Sequence, residues 1–417
     1  MRSAEDRPTP TVAAPRAATP RPPMSPWRFV MAFGVVSLLM DYVYEGARSI
    51  TGPLLAHLGA SAAVVGAVTG AGEAAALGLR LLSGPLADRS RRFWSWTVAG
   101  YALTAVTVPV LGLPGALWAA CALVVAERVG KAVRSPAKDT LLSHATATTG
   151  RGRGFAVHEA MDQVGALLGP LTVAGILALT GDDYAPALGV LALPGAAALA
   201  LLVRLRARVP DPVAYETSDS DEEPAPDGIA AVTSPNPGLP RAFWVYAAFT
   251  AMTLVGFATF GVLSYHLVVR HLVPTAAVPV LYAAAMAADA FAALATGWLY
   301  DRHGARVLAV LPLLSAAVAL LAFTDTVWIV VLGALVWGAA VGVQESTLRA
   351  TVADLVPPGR RATAYGFFAG IMGATALAGG ALTGALYDVS IPVLITTVAV
   401  VQVTALALLW ATRTPRH

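Results

Sequence analysis

The sequence predicts an all-α membrane protein in which twelve transmembrane helices form two bundles of six. The chain is 57% hydrophobic and only 13% charged, whereas a soluble domain has about 25% charged residues, and its mean hydropathy is +0.67. Apolar runs of the roughly 20 residues that span a bilayer recur from Trp27 to Trp410. Part of the polar pattern between these runs also occurs twice. A water-soluble fold is therefore excluded.

The first half of the chain begins with a polar segment. Residues 1–25 are rich in Pro, Ala and Arg and lack the apolar core and cleavage site of a secretory signal, so we expect a disordered cytoplasmic tail. The N-terminal six-helix bundle is predicted over 26–205, where apolar runs are bounded by Gly, Pro and charged residues. Its helices are predicted near 27–57, 62–82, 93–113, 116–135, 154–179 and 184–205.

A change of composition separates the halves. Residues 206–240 hold an acidic run and seven prolines, and such a segment buries too little apolar surface to fold alone. We expect a cytoplasmic linker here, followed by the C-terminal six-helix bundle over 241–412 and a cytoplasmic tail over 413–417. The helices of the second bundle are predicted near 242–271, 276–299, 305–324, 326–346, 361–387 and 391–412.

Positive charges predict the orientation, because cytoplasmic loops retain Lys and Arg. They fall in alternate joints, on one side of the membrane: Arg89, Arg91, Arg92, Arg134, Lys138, Arg151, Arg153, Arg204, Arg206, Arg208, Arg302, Arg306, Arg349, Arg360, Arg361, Arg413 and Arg416. The opposite joints hold little beyond Arg270. We therefore expect a multi-pass protein of the cytoplasmic membrane, with the lipid bilayer as its surroundings and both termini in the cytoplasm.

Several classes of function find no support in the residues. The single cysteine, Cys121, can form no internal disulfide and supplies no metal cluster, and the chain lacks a Walker-type phosphate loop. No run of Lys and Arg interleaved with aromatics suggests nucleic acid. No nucleophile and base, and no set of metal ligands, converge at one depth. We expect that the protein is not an enzyme, needs no cofactor or resident metal and binds no nucleic acid. We also expect a monomer.

An internal repeat supports two related halves. The joint Gly84-Pro85-Leu86-Ala87-Asp88-Arg89 recurs as Gly297-Trp298-Leu299-Tyr300-Asp301-Arg302, and the basic pair Arg151/Arg153 recurs as Arg360/Arg361. Equivalent joints six helices apart lie on the same membrane side. Halves of this kind are related by an axis along the membrane normal, which predicts a substrate site between them near the midplane.

The repeated pattern G-x-L-x-D-R-x-G-x-R resembles the signature loop of the major facilitator superfamily. The copies comprise Gly84, Leu86, Asp88, Arg89 and Arg92, with Arg91 in place of the second glycine, and Gly297, Leu299, Asp301, Arg302, Gly304 and Arg306. The resemblance implies the fold of that family and a charge cluster that latches the outward-facing state. A glycine would let two helices approach closely. In the simpler alternative, the charges only anchor the loop and set topology.

The fifth helix carries Gly165-x-x-x-Gly169-Pro170, which resembles the start of a motif found in exporters and antiporters of the superfamily. The paired glycines expected next are Val173 and Ala174, so the match is partial. It implies export, but small residues spaced by four also promote ordinary helix packing in lipid.

Much of the first half also resembles a bacterial subgroup of predicted efflux permeases within the superfamily. The matching segments are Asp41-x-x-x-Glu45, Glu73 with Arg80, the stretch from Gly130 to Asp139, and Phe155-x-x-His158-x-x-Met161-Asp162. This resemblance implies no particular substrate.

Charged residues inside predicted helices are the candidate site, because an ionisable side chain at the bilayer centre costs at least about 2.5–3.5 kcal/mol and is kept when paired or useful. The candidates for proton coupling or substrate binding are Asp41, Glu45, Arg48, Glu73, Arg128, Lys131, Asp162 and Asp289. Permanent pairing would make them structural. A desolvated carboxylate can instead exchange protons, and we favour Asp41 and Glu73 for protons or a cationic substrate, with Arg128 or Lys131 as the competing base.

The second half offers fewer such groups. Asp289 falls near mid-span, whereas His266 and Glu345 fall nearer to predicted helix ends, so we expect coupling to reside mainly in the first half. The stretch His158-Glu159-Ala160-Met161-Asp162 is not H-E-x-x-H, because Asp162 stands where the second His would be. The spacing of His158 and Asp162 suits a metal ion in transit, but a hydrogen-bonded structural histidine is the more frequent role.

Together these features predict a secondary active transporter that moves a small solute by alternating access. Proton-coupled efflux by antiport is the leading hypothesis. A proton-coupled importer and a uniporter are the near alternatives. A transport-inactive membrane sensor or scaffold is the alternative from another class, although the linker is too short for a packed signalling domain.

Overall fold

The computed structural model describes most of the chain. The described residues are 24–149, 151–212, 214–217, 238–357 and 360–411. The predicted tails lie outside them apart from residues 24 and 25, as do the central part of the predicted linker and the charges Arg413 and Arg416. The described residues form helices and contain no β-strand, which confirms the all-α prediction.

The described residues up to 217 contain nine helices. In order, they are α1 Pro26–His57, α2 Ala62–Gly78, α3 Arg80–Ser90, α4 Phe93–Val110, α5 Leu117–Thr149, α6 Arg151–Thr180, α7 Tyr184–Gly189, α8 Ala192–Arg208 and the short α9 Ala214–Thr217. We call α1 to α8 the first half.

The remaining helices form what we call the second half. They are α10 Arg241–Val255, α11 Phe260–Val269, α12 Ala277–His303, α13 Val310–Ala322, α14 Val327–Leu355, α15 Arg361–Val389 and α16 Ile391–Ala411. A 3₁₀ turn, Gly304–Ala309, joins α12 to α13.

Nine segments of the described residues are long and apolar enough to cross a membrane. They are Pro26–His57, Ala62–Ser90, Arg153–Thr180, Tyr184–Arg208, Arg241–Val269, Ala277–Ala322, Val327–Leu355, Thr363–Val389 and Ile391–Trp410. One of these segments, Ala277–Ala322, covers two predicted helices, 276–299 and 305–324, while α4 and the charge-bearing α5 fall outside the set. A multi-pass membrane protein is confirmed, and the count of twelve stays a prediction.

Two helices run well past their predicted ends. The prediction placed the end of the fourth helix at 135 because charges follow, but α5 continues to Thr149. Ala137, Leu141 and Ala145 recur at intervals of four and are buried, which keeps one face of the extension packed. In the same way, α14 continues to Leu355 beyond the predicted end at 346.

The predicted helix over 242–271 is broken. Residues 256–259 separate α10 from α11, and Trp337 Nε1 donates a hydrogen bond to Ala258 O at 2.9 Å. Non-helical backbone is tolerated at membrane depth only where it is buried or lines a cavity. Phe257 and Thr259 of this break line a cavity between the two halves.

The outer surface suits lipid. Leu179 is 83% exposed and Trp328 is 81% exposed, on helices whose other faces are packed. Exposure of such side chains to water would be unfavourable. Lipid tails are equally apolar, so exposure of these side chains to lipid carries no such cost. Inside, α1 packs on α6 and α8 in the first half, and α12 packs on α14 in the second.

The halves meet along a seam formed by α2 with α15 and by α1 with α11. Small residues allow the close approach: a Cβ at Gly66 would collide with Gly380 O, and one at Gly384 would collide with Ala62 O. At the end of the seam, the Asp388 carboxylate of α15 accepts hydrogen bonds from Ala62 N at 3.1 Å and Ala63 N at 2.9 Å. A side chain of the second half therefore caps α2 of the first half.

Candidate functional site

A cavity of about 510 Å³ lies between the two halves, within the range of small-molecule sites. We call it the central cavity. Its first-half wall is mostly polar and includes Tyr44, Arg48, Glu73, Arg128 and Lys131. Its second-half wall combines aromatic and polar groups and includes Phe257, Phe260, Trp337, Gln344 and Glu345.

A chain of ion pairs from three helices supports the first-half wall. Arg48 Nη2 of α1 lies 3.2 Å from Glu73 Oε1 of α2, and Arg128 Nη1 of α5 lies 3.1 Å from the same oxygen. Arg48 Nη1 also lies 3.6 Å from Glu45 Oε1, and Arg128 Nε lies 3.3 Å from Glu127 Oε2. Opposite charges on three helices therefore pair with one another in this geometry, and Glu127 takes part although the candidate set lacked it.

Two tyrosines extend this ion-pair chain. Tyr282 of α12 donates a hydrogen bond to Glu45 Oε2, so a buried contact joins the first half to the second. The Tyr44 ring lies beneath two cations: Arg128 Cζ is 4.5 Å and Lys131 Nζ is 4.1 Å from its centroid. Both contacts are in the range of cation–π attraction. Lys131 has no carboxylate oxygen within 4 Å among the residues that the structure describes.

A second cavity, of about 240 Å³, contains the other first-half candidates. Asp162 Oδ2 lies 3.3 Å from His158 Nδ1 and 3.9 Å from Lys138 Nζ. His158 Nε2 is 2.8 Å from Ser37 Oγ, which agrees with the role of a hydrogen-bonded structural histidine. Asp41 also lines the cavity, but it forms no ion pair with any described residue.

The second half contributes more to the site than the sequence predicted. Asp289 of α12 is 4% exposed and lines the second cavity together with Asp41, Lys131 and Glu345. Glu345 was expected near a helix end, but α14 continues past it to Leu355, which places Glu345 inside the helix and on both cavities. The charged lining therefore comes from both halves, and the expectation that coupling resides mainly in the first half stays a prediction.

The glycines of the repeated loop have a different role from the expected one. A Cβ at Gly84 would lie 3.8 Å from Pro136, an ordinary contact, and one at Gly297 would meet nothing within 4 Å, so neither permits close helix approach. The second glycine position ends a helix with positive φ: Gly304 has φ 59° and Arg91, its counterpart, has φ 52°. The ψ angles differ, 18° at Arg91 and −150° at Gly304, but glycine is favoured at both positions because it adopts positive φ without strain.

The charges of the repeated loop are on the surface. Asp88 lies in the last turn of α3 and Asp301 in the last turn of α12, both exposed. Within the described part of the chain, neither forms an ion pair, so the latch stays a prediction. Arg302 Cζ lies 3.6 Å from the centroid of the Trp298 ring. The remaining basic members, all exposed, are Arg89, Arg92 and Arg306.

The helix-five glycines pack α6 against α1. A Cβ at Gly165 would collide with Leu38 O, and one at Gly169 would collide with Tyr42 O. Pro170 is buried in the same helix. This geometry is sufficient to explain the spacing as helix packing, and the implied link to export stays a prediction.

His266 is held by two partners and does not reach the cavity. Its Nδ1 lies 2.8 Å from Tyr387 Oη and its Nε2 lies 3.0 Å from Thr324 O. No group of three or more His, Cys, Asp or Glu in the described residues could hold a metal ion.

Sequence reasoning missed the aromatic members of the site. Tyr44 and Tyr282 are buried in apolar stretches, where an aromatic residue is usually core or lipid-facing. A signal for Tyr44 exists, since it directly precedes Glu45 in a charged helix turn. Tyr282 has no such signal, because its contact with Glu45 depends on the packing of the two halves.

Comparison with known proteins gives the family. The model of the Major Facilitator Superfamily matches residues 31–288 and 273–417. An uncharacterized protein of Mycobacterium tuberculosis (strain ATCC 25618 / H37Rv) is 64% identical over 406 residues, which cover 97% of this chain and 98% of that protein.

Solved transporters share the fold. A mutant of the nucleoside transporter NupG has a TM-score of 0.73 at 15% identity and covers 93% of this chain and 100% of its own. A bacterial homologue of the human lysosomal transporter Spinster, inward-facing and unoccupied, has a TM-score of 0.64 at 15% identity over 93% of this chain and 95% of its own. These likenesses and the family match indicate a transporter and not an enzyme. The chain belongs to the major facilitator superfamily.

Proposed function

We propose that the chain is a secondary active transporter that exports a small solute across the cytoplasmic membrane in exchange for protons. The observation that supports this proposal most strongly is the central cavity, which lies between the halves and is lined by ionisable groups of both. Alternating access requires a site of this kind, around which two bundles rock. We propose twelve spans in two six-helix bundles, 26–205 and 241–412, with the 206–240 linker and both termini cytoplasmic.

Asp41 is the carboxylate best suited to exchange protons. Glu73, the other favoured residue, lies between two guanidinium groups at 3.1 and 3.2 Å, so protonating it would break two ion pairs. Asp41 lines the second cavity, and its protonation would break no ion pair with a described residue. We assign proton coupling to Asp41 and a structural role to Glu73, with Lys131 as the base that competes for the carboxylate.

The test is proton movement in proteoliposomes that contain the full chain and a trapped pH-sensitive dye. A panel of amino acids, peptides, nucleosides, sugars and organic cations is added outside, one at a time. An antiporter releases protons to the side from which it takes the solute, whereas a symporter carries both in one direction. Solute uptake without proton movement would identify a uniporter, and no movement of any panel member would favour a sensor or scaffold.

A further inference from the structure

The central cavity holds unpaired charges of both signs. Arg48, Glu73 and Arg128 satisfy one another in the ion-pair chain. Lys131 and Glu345 line the same cavity, one from each half, and neither forms an ion pair with a described residue. Glu159 and Arg349 add a second unpaired charge of each sign at the cavity wall. Lys131 is half-buried, whereas Glu159, Glu345 and Arg349 are exposed. All four charges are therefore accessible to a ligand that brings opposite charges to them.

Lys131 is held in place for an anionic group. Its Nζ lies 4.1 Å from the centroid of the Tyr44 ring, which restricts the flexible side chain, and no carboxylate oxygen of a described residue lies within 4 Å of it. The Tyr44 hydroxyl is buried without a hydrogen-bond partner in the described structure. The Lys131 ammonium itself can donate up to three hydrogen bonds, which suits a carboxylate.

Glu345 has the complementary surroundings. It lies on α14 beside Gln344, and Trp337 of the same helix is two turns away along the cavity wall. The Trp337 and Phe257 rings are stacked, with centroids 6.2 Å apart and planes inclined by 10°. Trp337 is only 2% exposed, so the half-buried Phe257 ring supplies the apolar surface on this side of the cavity.

These three features restrict the charge of the ligand. A simple anion would pair with Lys131 but would leave Glu345 unpaired and repelled, and a simple cation would do the reverse. A ligand with both charges can pair with both groups, and an apolar side chain of that ligand can pack against the Phe257 ring. The cavity volume of about 510 Å³ admits a molecule of amino-acid or dipeptide size.

We propose that the central cavity binds a small zwitterion with an apolar side chain, its carboxylate toward Lys131 and its ammonium toward Glu345. The proposal rests on the transport function proposed above and specifies the substrate class of the same site.

The test uses chemically capped ligands on the intact protein in detergent. The probes are L-phenylalanine and L-phenylalanyl-L-phenylalanine, each also as the methyl ester, which lacks the carboxylate, and as the N-acetyl form, which lacks the ammonium. Affinity is measured by calorimetric titration. At least one free zwitterion should bind about tenfold or more tightly than either of its capped forms, because a charge-assisted hydrogen bond contributes at least about one factor of ten.

Two variants assign each charge to its residue. In Lys131→Ala the free zwitterion should bind as weakly as the ester, and ester binding should not change. In Glu345→Gln the free zwitterion should bind as weakly as the N-acetyl form. The control Asp325→Asn removes an exposed carboxylate that pairs with Arg270, away from the cavity, and should leave all affinities unchanged.

Equal binding of the free and capped forms by the wild-type protein would overturn the proposal, and so would binding of none of them. Neither result needs a variant that folds. Because these are binding measurements, they are separate from the proton-flux test: a protein that moves protons with another solute would retain its proposed function and lose only this substrate class.

Discussion

At the scale of single residues, Glu73 is the most consequential ion-pair partner in the cavity wall. It contacts two guanidinium groups from different helices, and Arg128 retains only 8% exposure of its side chain. We expect Glu73→Gln to lower the free energy of unfolding by roughly 1–3 kcal/mol, less than the roughly 3–5 kcal/mol of a fully buried pair, because Glu73 is 29% exposed. Thermal unfolding in detergent measures this change.

The matched control is Asp325→Asn, which breaks an exposed pair with Arg270. Exposed pairs contribute about 0–1 kcal/mol, so this variant should unfold almost as the wild type does. If both variants lose the same stability, the ion-pair chain around Glu73 has no special structural role.

Arg91 provides a prediction in the opposite direction. It ends α3 at φ 52°, a conformation that costs a non-glycine residue about 1–2 kcal/mol. We expect Arg91→Gly to stabilise the protein by roughly 0.5–1 kcal/mol, since glycine's larger entropy loss on folding offsets part of the gain. The midpoint of thermal unfolding should rise slightly. The reverse change at Gly304, Gly304→Arg, should lower it, and a rise there would contradict the role of backbone conformation.

Single-residue chemistry was partly predictable from the sequence. Charges such as Arg48 and Arg128 stand out because apolar surroundings make them costly, and the spacing of Glu45 and Arg48 places them on one helix face. What each charge contacts was not predictable. Glu73 meets Arg128 only because α2 packs on α5, and Tyr282 meets Glu45 only because the two halves associate.

At the scale of secondary-structure elements, the packing of α6 on α1 depends on glycine. A Cβ at Gly169 would collide with the Tyr42 carbonyl, and overpacking costs about 1–3 kcal/mol. We expect Gly169→Ala to lower the unfolding midpoint clearly. Gly175→Ala in the same helix is the control, because a Cβ there meets nothing within 4 Å, and it should be neutral or slightly stabilising. Similar effects of the two variants would argue against the packing role.

The cap that Asp388 forms on α2 links the halves at one end of the seam. Because N-terminal caps contribute about 0.5–2 kcal/mol, we expect Asp388→Ala to populate states in which this end is open. The measurement is labelling by a membrane-impermeant maleimide of Val65→Cys, a position buried in the seam, in a Cys121→Ser background. Labelling should be faster in Asp388→Ala than in its parent.

The control for that experiment is a cap within one half. Asp183 Oδ1 accepts a hydrogen bond from Ala185 N at 2.9 Å and caps α7 without contacting the second half. Asp183→Ala should therefore leave the labelling of Val65→Cys unchanged. Equal acceleration by both variants would mean that labelling reports general loosening and not opening of the seam.

Helices were easier to predict than their interruptions. Apolar length predicted most starts and ends within a few residues, as at α1 and α16. The break at residues 256–259 was missed because its stabilising partner, Trp337, lies about 80 positions away in sequence and only packing brings it close. The extension of α5 was missed because charges marked it as a loop, although its apolar residues keep helical spacing.

At the scale of the whole molecule, the duplicated loop motif and the two sets of apolar runs predicted two halves with a site between them. The structure contains a cavity at that interface, with a closely packed seam along α2 and α15. A carrier that works by alternating access must open and close such a seam once per cycle. Protonation of a cavity carboxylate can drive this cycle only if it changes the relative stability of the two states.

The most direct test of this account is to compare solute exchange with proton flux in Asp41→Asn proteoliposomes, using the solute that drives proton movement in the wild type. Exchange of labelled for unlabelled solute requires binding and alternating access but no net proton transfer. We predict that Asp41→Asn retains exchange and loses solute-driven proton flux, while Asp325→Asn retains both. Undiminished proton flux in Asp41→Asn would contradict the assignment of proton coupling to this carboxylate.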